Sequence, residues 1–357
     1  TPAGTAQLVE LAELLECPVE DTRHRMNFPT RHHLFGTGNA RQADVVLALE
    51  VQEPWSILHT MTPVNRVGME TKYVGKAGAK LITINALDMN HRANYQDFGR
   101  FPEADMVIAA DAESTLPALI EACKRELTDN RRRAISERGQ RLRDASKRLR
   151  EKNLADATLG WDSSPISTAR LSAEIWDQVK GEDWSLVSNV ALFLSNWPTK
   201  LWDFTKHYQY IGSQGAAGIG YGAPAAVGAA LANKKHGRFS INIQCDGDLN
   251  YAPGVLWTAA HHKIPLLTIM HNNRGYHQEV MQVQLMANRA NRGVDRAHIG
   301  TTLRDPFIDY AKMAQTYGMH GEGPISNPND LGPALKRAIA VVKKGEPALI
   351  DVLTQPR

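Results

Sequence analysis

Short apolar runs alternate with amphipathic stretches along most of the chain. ADVVLALE at 43–50, AKLITINA at 79–86 and DMVIAAD at 105–111 are rich in Val, Ile and Leu and are separated by helical stretches. That pattern predicts buried strands of a parallel sheet inside an α/β layer. Residues 7–15 predict a short amphipathic helix, and STLPALIEACKREL at 114–127 predicts another, with Ser114 as its N-cap. A second α/β pattern begins near residue 167. ISTARLSAEIWDQV (166–179) reads as a helix, SLVSNVALF (185–193) as a strand and loop, and GIGYGAPAAVGAALA (218–232) as a glycine-rich entry into a small-residue helix. FSINIQC (239–245), PLLTIMH (265–271) and PALIDVL (347–353) read as strands, and RDPFIDYAKMAQTYGM (304–319) as a helix. The expected fold class is α/β, with two doubly wound parallel-sheet domains, the first Rossmann-like.

Between the two patterns the composition changes. Residues 124–152 hold twelve Lys or Arg and five Asp or Glu, with no aromatic side chain. Interspersed acids and the lack of stacking side chains favour a solvated inter-domain helix over a polyanion-binding arm. The expected partition is a central α/β domain at 1–130, a basic helical linker at 131–165 and a C-terminal domain at 166–357. A chain of 357 residues with 43% hydrophobic and 22% charged residues is long enough for two such cores.

Net charge is +3, too small to imply a nucleic-acid partner. No apolar run approaches the roughly 18 residues of a membrane span, and no signal-peptide pattern opens the chain. The expectation is therefore no nucleic acid and no membrane partner. Cys17, Cys123 and Cys245 are far apart and form no CxxC, which argues against a zinc site or a disulfide framework and for reduced thiols in a cytoplasm.

The chemistry concentrates in QCDGDLNYAPGVLWTAAHHKIPLLTIMHNN at 244–273. FSINIQC runs into Asp246-Gly247-Asp248, and ligands of open α/β sheets bind beyond the carboxyl ends of strands. The next strand returns Asn272 and Asn273 to the same edge. A carboxylate, a carboxamide oxygen and a carbonyl such as that of Gly275 are hard oxygen donors suited to Mg²⁺, which commonly takes phosphates as its other ligands. The bland alternative is a turn Asp and two Asn that cap backbone, since DG and NN dipeptides are common in loops. Their pairing across one β-α-β unit is more specific than either alone.

Asp246-Gly247, 24 residues, then Asn272-Asn273 resembles the thiamine-diphosphate motif, commonly GDG followed by NN. Residues 218–226, GIGYGAPAA, resemble GYGLPAA, and DPFIDYAKMAQTYGM resembles the helix after the mobile loop of the same family. DTRHRMNFPTRHHLFG and ADVVLALE resemble its central domain. The family is that of acetolactate synthase, pyruvate decarboxylase and benzoylformate decarboxylase. The resemblance implies thiamine diphosphate and Mg²⁺ as cofactors, a 2-oxo acid as substrate, and decarboxylation or carboligation as the reaction. It implies Asp246, Asn273 and the Gly275 carbonyl as metal ligands. It implies Ile219 as the apolar wedge under a bent cofactor, the Ala217 carbonyl as a hydrogen-bond acceptor, and Gly218, Gly247, Asp248 and Asn189 in the cofactor's surroundings. Glu279 in NNRGYHQE resembles an acid that faces substrate in some 2-oxo acid decarboxylases, and His277 is a weaker candidate for proton transfer.

Cys245 stands in place of the first Gly of GDG, Asp248 where a small residue is common, and Asn189 and Ala191 where an Asp and a Gly are common. The family's pyrimidine-binding domain, which carries the activating Glu, has no counterpart among these residues. The expectation is that a pyrimidine-binding domain comes from the same precursor or a separate chain, within a dimer or tetramer. Two other readings stand beside a lyase or carboligase: a non-catalytic or regulatory subunit that keeps the cofactor fold, and an acyl-CoA-linked lyase. FAD or ADP at the central domain rests only on Gly36-Thr37-Gly38, which no third Gly follows at Arg41.

Overall fold

The computed structural model describes residues 1–21, 25–51, 53–63, 68–86, 103–187, 196–212 and 218–356, and these divide into two compact units. The first comprises Thr1–Thr22 and His32–Leu149. Helix α1 (Pro2–Leu15) opens on Thr1, whose hydroxyl accepts the Gly4 N–H, and ends at Glu16 in the left-handed region. Then come β1 (Val45–Leu49), the short α2 (Trp55–Leu58), β2 (His59–Pro63), β3 (Met69–Tyr73), β4 (Lys80–Asn85), β5 (Met106–Ala109), α3 (Ala112–Glu126) and α4 (Asp129–Ala157). Strands β1, β4 and β5 form a parallel sheet in that order, as the apolar runs predict, but β1 and β5 are not the buried strands expected: Val45, Met106 and Val107 are exposed. Leu11 of α1 and Leu116 and Ile120 of α3 share one buried cluster. The pair β2–β3 is antiparallel and was not expected. The N-cap of α3 is Asp111 rather than Ser114: the Asp111 carboxylate accepts the Ser114 N–H at 2.7 Å. An ionised acceptor suits the positive end of a helix better than a hydroxyl three residues inside it.

The second unit comprises Arg23–Arg31 and Arg150–Arg357. Two boundaries therefore differ from those expected. The basic segment is one continuous helix, α4, most of which clusters with the first unit, and the residues around Met26 and Phe28, both buried, belong to the second. The Met26 N–H donates to the Tyr210 carbonyl at 3.1 Å.

Along the second unit run α5 (Thr168–Val179), β6 (Trp184–Leu186), α6 (Trp197–Leu201), α7 (Gly222–Lys234), β7 (Phe239–Cys245), α8 (Asp246–Leu249), α9 (Val255–His261), β8 (Leu266–Asn272), α10 (His277–Arg289), α11 (Tyr310–Thr316), β9 (His320–Ile325), α12 (Pro328–Val342) and β10 (Ala348–Leu353). The five strands are parallel in the order β6-β7-β8-β10-β9. Side chains alternate across the sheet. Ile241, Ile243, Leu267, Ile269, Ile350 and Val352 face α5 and α12, while Leu266, Met270 and Leu349 face α7, α9 and α11. Trp184, Trp202 and Phe204 pack edge-to-face or stacked in the first layer, and the Trp202 indole N–H donates to the Ser172 carbonyl at 2.8 Å.

The second layer is unusual in burying a polar row. Ser240, Asn242 and Gln244 of β7 are inaccessible beneath the small residues of α7. Asn233 donates to Ser240 at 3.2 Å, Asn242 to Gln244 at 3.3 Å, and Gln244 to Asp248 at 2.6 Å. Such a row is tolerable because its members bond to one another, and it leads to the end of β7. The helix expected at 304–319 is shorter, Tyr310–Thr316: the Asp309 carboxylate caps it by accepting the Lys312 N–H, and Pro306 lies ahead of it.

Candidate active site

Cys245 of β7 pairs in register with His271 of β8, so the residues that follow both strands emerge at the same carboxyl edge. Asp246 opens the one-turn helix α8 and is 1% exposed. Its Oδ1 accepts the Gly247 N–H at 2.8 Å and its Oδ2 the Gly275 N–H at 3.1 Å. Among the described residues no Lys or Arg makes an ion pair with it. Burial outweighs the backbone hydrogen bonds and pushes its carboxyl up to about 6.

The two asparagines divide their tasks. Asn272 is held within the protein: its Nδ2 donates to Asp351 at 2.9 Å and its Oδ1 accepts the Arg274 N–H at 3.2 Å. Asn273 has a buried Oδ1 with no hydrogen-bond partner. At these adjacent strand ends the structure thus offers a buried carboxylate with no Lys or Arg ion pair among the described residues and a buried carboxamide oxygen with no donor, groups that a cation would satisfy. Among the described residues no three His, Cys, Asp or Glu side chains converge on a metal position. The Asp246 carboxylate and the Asn273 Oδ1 are both hard oxygen donors, the ligand type that Mg²⁺ takes.

Two glycines are required by close approach. A Cβ on Gly247 would lie 2.5 Å from the Tyr276 ring, whose hydroxyl donates back to the Gly247 carbonyl at 3.3 Å. A Cβ on Gly275 would lie 2.9 Å from the Thr301 carbonyl oxygen, where Gly275 bridges Thr302. Cys245 does not strain the turn, because its backbone is extended (φ −76°, ψ 145°) and needs no glycine. Burial first, then the charges of Asp246, Asp248 and Glu279, raise its thiol well above the ordinary range, so it stays protonated.

Asp248 points at donors. Its Oδ1 accepts the Gly220 N–H at 2.6 Å, and its Oδ2 accepts the Gly222 N–H at 3.1 Å and the Gln244 amide. It ties the glycine-rich entry of α7 to α8, so Gly218 and Ile219 stand beside the DGD turn. Ile219 is exposed, as a residue at the mouth of a site would be. Ala217 and Asn189 lie outside the described residues. His277 and Glu279 occupy the first turn of α10, both partly buried. On the opposite face of the sheet His271 is buried with neither ring nitrogen partnered, beside a cavity of about 20 Å³ that Ser172 and Trp197 also line.

Sequence reasoning missed Asp351, Tyr310, Tyr276 and Asn250. The Tyr310 hydroxyl donates to the Asp246 carbonyl at 3.1 Å and lies 3.3 Å from Asn250 Oδ1. The available signal was the acid inside the otherwise apolar PALIDVL run. In the first unit, Gly36-Thr37-Gly38 precedes β1 instead of following it, which is not the place of a dinucleotide turn. At the carboxyl edge of β1 the Glu50 carboxylate accepts the N–H of Ala86 at 3.2 Å and of Ala112 at 2.9 Å.

Oxygen-bearing side chains thus gather at two adjacent strand ends of an open α/β sheet, the edge at which such sheets bind ligands. Residues 194–352 match the family model described as thiamine pyrophosphate enzyme, C-terminal TPP binding domain. The chain is 35% identical over 140 residues to benzoylformate decarboxylase of Pseudomonas aeruginosa, covering 39% of this chain and 24% of that protein. It is 25% identical to a probable acetolactate synthase large subunit of Methanocaldococcus jannaschii, across 99% of this chain and 55% of that one. A thiamine diphosphate-dependent 4-hydroxybenzoylformate decarboxylase of Rhodococcus jostii RHA1 shares the fold, with a TM-score of 0.68 at 23% identity over 98% of this chain and 58% of that one. Residues 194–352 therefore resemble the C-terminal TPP binding domain of thiamine pyrophosphate enzymes, and proteins similar to this chain include a benzoylformate decarboxylase and a probable acetolactate synthase large subunit. The chain spans about half or less of the length of these curated relatives.

Proposed function

We propose that this chain is the central and C-terminal part of a thiamine-diphosphate- and Mg²⁺-dependent enzyme that breaks or forms a C–C bond of a 2-oxo acid. The observation that carries the reading is the pairing of buried Asp246 with the partnerless oxygen of Asn273 at one sheet edge. The names of the relatives, a decarboxylase of one 2-oxo acid and a synthase of acetolactate, point to the same substrate class.

Asp246, the Asn273 Oδ1 and the Gly275 carbonyl would hold Mg²⁺, an ion that commonly pairs one or two protein oxygens with phosphates. When bound, thiamine diphosphate supplies the nucleophilic carbon and the electron sink that loss of CO₂ from a 2-oxo acid requires. The chain's own residues do the rest. Asp246 would bring a negative charge to the metal, with the Gly275 N–H holding that carboxylate in place. Gly218 and exposed Ile219, tied to the DGD turn through Asp248, would form the wall toward the cofactor. Asp248 acts through the Gly220 and Gly222 backbone and holds that wall to α8. Glu279, favoured at the N-terminus of α10, faces substrate, and His277 is the adjacent proton carrier. The pyrimidine-binding domain comes from elsewhere in the precursor or from a second chain, in a dimer or tetramer, and the compartment is the cytoplasm.

A second reading is a subunit that binds cofactor without turnover. It rests on Asp248, which occupies two backbone donors beside the DGD turn. Calorimetry with thiamine diphosphate and Mg²⁺, followed by assays with pyruvate and benzoylformate, separates the two. Mg²⁺-dependent binding with product supports the enzyme, and binding without product in the complete assembly supports the subunit. Asp246→Ala should abolish Mg²⁺-dependent binding, and unchanged binding would overturn the assignment of the clamp.

A further inference from the structure

Asp351 lies inside β10, 0% exposed, on the face it shares with Leu349. An acid there is costly: burial pushes its carboxyl up to about 6. Among the described residues no Lys or Arg forms an ion pair with it, although the Arg274 charge acts in its favour. For stability alone an apolar residue would serve better at such a place. Both of its oxygens are nevertheless used. Oδ1 accepts the Asn272 Nδ2 at 2.9 Å, and Oδ2 accepts the Tyr310 backbone N–H at 3.3 Å.

The first of these bonds sets which way round the Asn272 carboxamide sits. An acceptor at 351 demands the NH₂ group, so the carboxamide oxygen must face the other way. There it accepts the Arg274 N–H at 3.2 Å, which closes a tight turn with Arg274 in the left-handed region (φ 61°). That turn holds Asn273 and delivers Gly275 to Asp246. The second bond reaches the clamp from the other side, because the Tyr310 hydroxyl donates to the Asp246 carbonyl. The β9–β10 register shifts where Gly323 and Pro324 lie opposite Asp351, and Gly323 packs directly on its backbone. Bulges of this kind re-aim a side chain beside a site.

We propose that Asp351 is a positioning residue for the oxygen clamp. It fixes the Asn272 carboxamide and, through the 272–275 turn, sets Asn273 and Gly275 for the divalent cation. The inference rests on reading the clamp as a Mg²⁺ site.

The test uses Mn²⁺ as the probe, titrated in the presence of thiamine diphosphate into the full-length protein and followed by the loss of the free-ion paramagnetic resonance signal. Four proteins are compared: the parent, Asp351→Asn, Asn272→Asp and the double variant. Each single change should weaken Mn²⁺ binding by about tenfold or more, the size of effect seen when groups that orient a metal site are lost. The double variant exchanges the two groups, so an amide at 351 donates to a carboxylate at 272. The Tyr310 and Arg274 N–H groups then keep their acceptors, and the affinity should return close to the parent's. A general loss of packing would not be restored in this way. If the parent itself binds no Mn²⁺, the clamp reading falls. If the parent binds and Asp351→Asn binds equally well, or the double variant stays as weak as the singles, the positioning role falls. Should Asp351→Asn fail to fold, the comparison of Asn272→Asp with the double variant decides the same point.

Discussion

The Asp248 carboxylate accepts the Gly220 N–H at 2.6 Å, so the acid that follows the DG turn grips the glycine-rich loop and not solvent. The same group also holds the Gly222 N–H and the Gln244 amide, the last member of the buried polar row. Asp248→Ala would leave three donors without their acceptor, at about 1–3 kcal/mol for each one that stays buried. The thermal midpoint should fall, and amide exchange at Gly220 and Gly222 should quicken before exchange in β8. Unchanged exchange at those two amides would mean that the loop is held by something else.

Asp246 links pH to metal. Its carboxyl is raised from 3.8 to about 6 by burial, so between those values the folded protein keeps a proton that the unfolded chain has lost. Its contribution to stability in metal-free protein therefore falls as pH rises from about 4 to about 6, by up to about 1.4 kcal/mol per unit of pH. A bound cation favours the charged form and reverses this. The gain in thermal midpoint from Mg²⁺ plus thiamine diphosphate over EDTA should grow as pH rises through about 6, with protons released on binding below it. A gain that does not change between pH 5 and 7 would show that Asp246 is not a ligand.

Gly247 has no room for a methyl group, since its Cβ would lie 2.5 Å and 2.6 Å from two carbons of the Tyr276 ring. Gly247→Ala should destabilise by about 1–3 kcal/mol through overpacking. Adding Tyr276→Ala should recover part of that loss, because the clash partner is gone. Chemical denaturation of the single and double variants measures both. Additive losses would place the strain elsewhere.

Much of this was legible in the sequence. The runs around 239–245 and 347–353 became strands because a parallel sheet covered on both faces demands continuous apolar segments, and those around 43–50 and 79–86 pair in a smaller sheet whose outer strands stay partly exposed. The DG…NN pair located the strand ends because a β-α-β crossover returns its second strand parallel to the first, with both carboxyl ends at one edge. What escaped was set by tertiary contacts. β9 (HGEGPI) looks like a loop, with two glycines and a proline, and becomes a strand by pairing with β10. Asp351 sits in a run that reads as pure core, and its use depends on Asn272, 79 positions away. Ser114 lost the cap of α3 to Asp111 because both are good capping residues and only the helix start decides between them.

The first unit yields the last prediction. Glu50 ends β1 in a left-handed conformation (φ 51°) and directs its carboxylate over the N-terminus of α3. A dinucleotide diphosphate at the carboxyl edge of such a sheet needs those same backbone donors. With an acid already accepting the Ala86 and Ala112 N–H groups, an added anion meets repulsion instead of donors. Titration of ADP or FAD into the full-length protein should therefore give no saturable heat at this edge. Glu50→Gln keeps one acceptor and removes the charge. It should lower stability by about 0.3–1 kcal/mol, the loss of a negative group at a helix N-terminus. Tight FAD or ADP binding by the parent that Glu50→Gln strengthens would place a nucleotide at this edge after all. Binding that Glu50→Gln leaves unchanged would put it elsewhere on the protein.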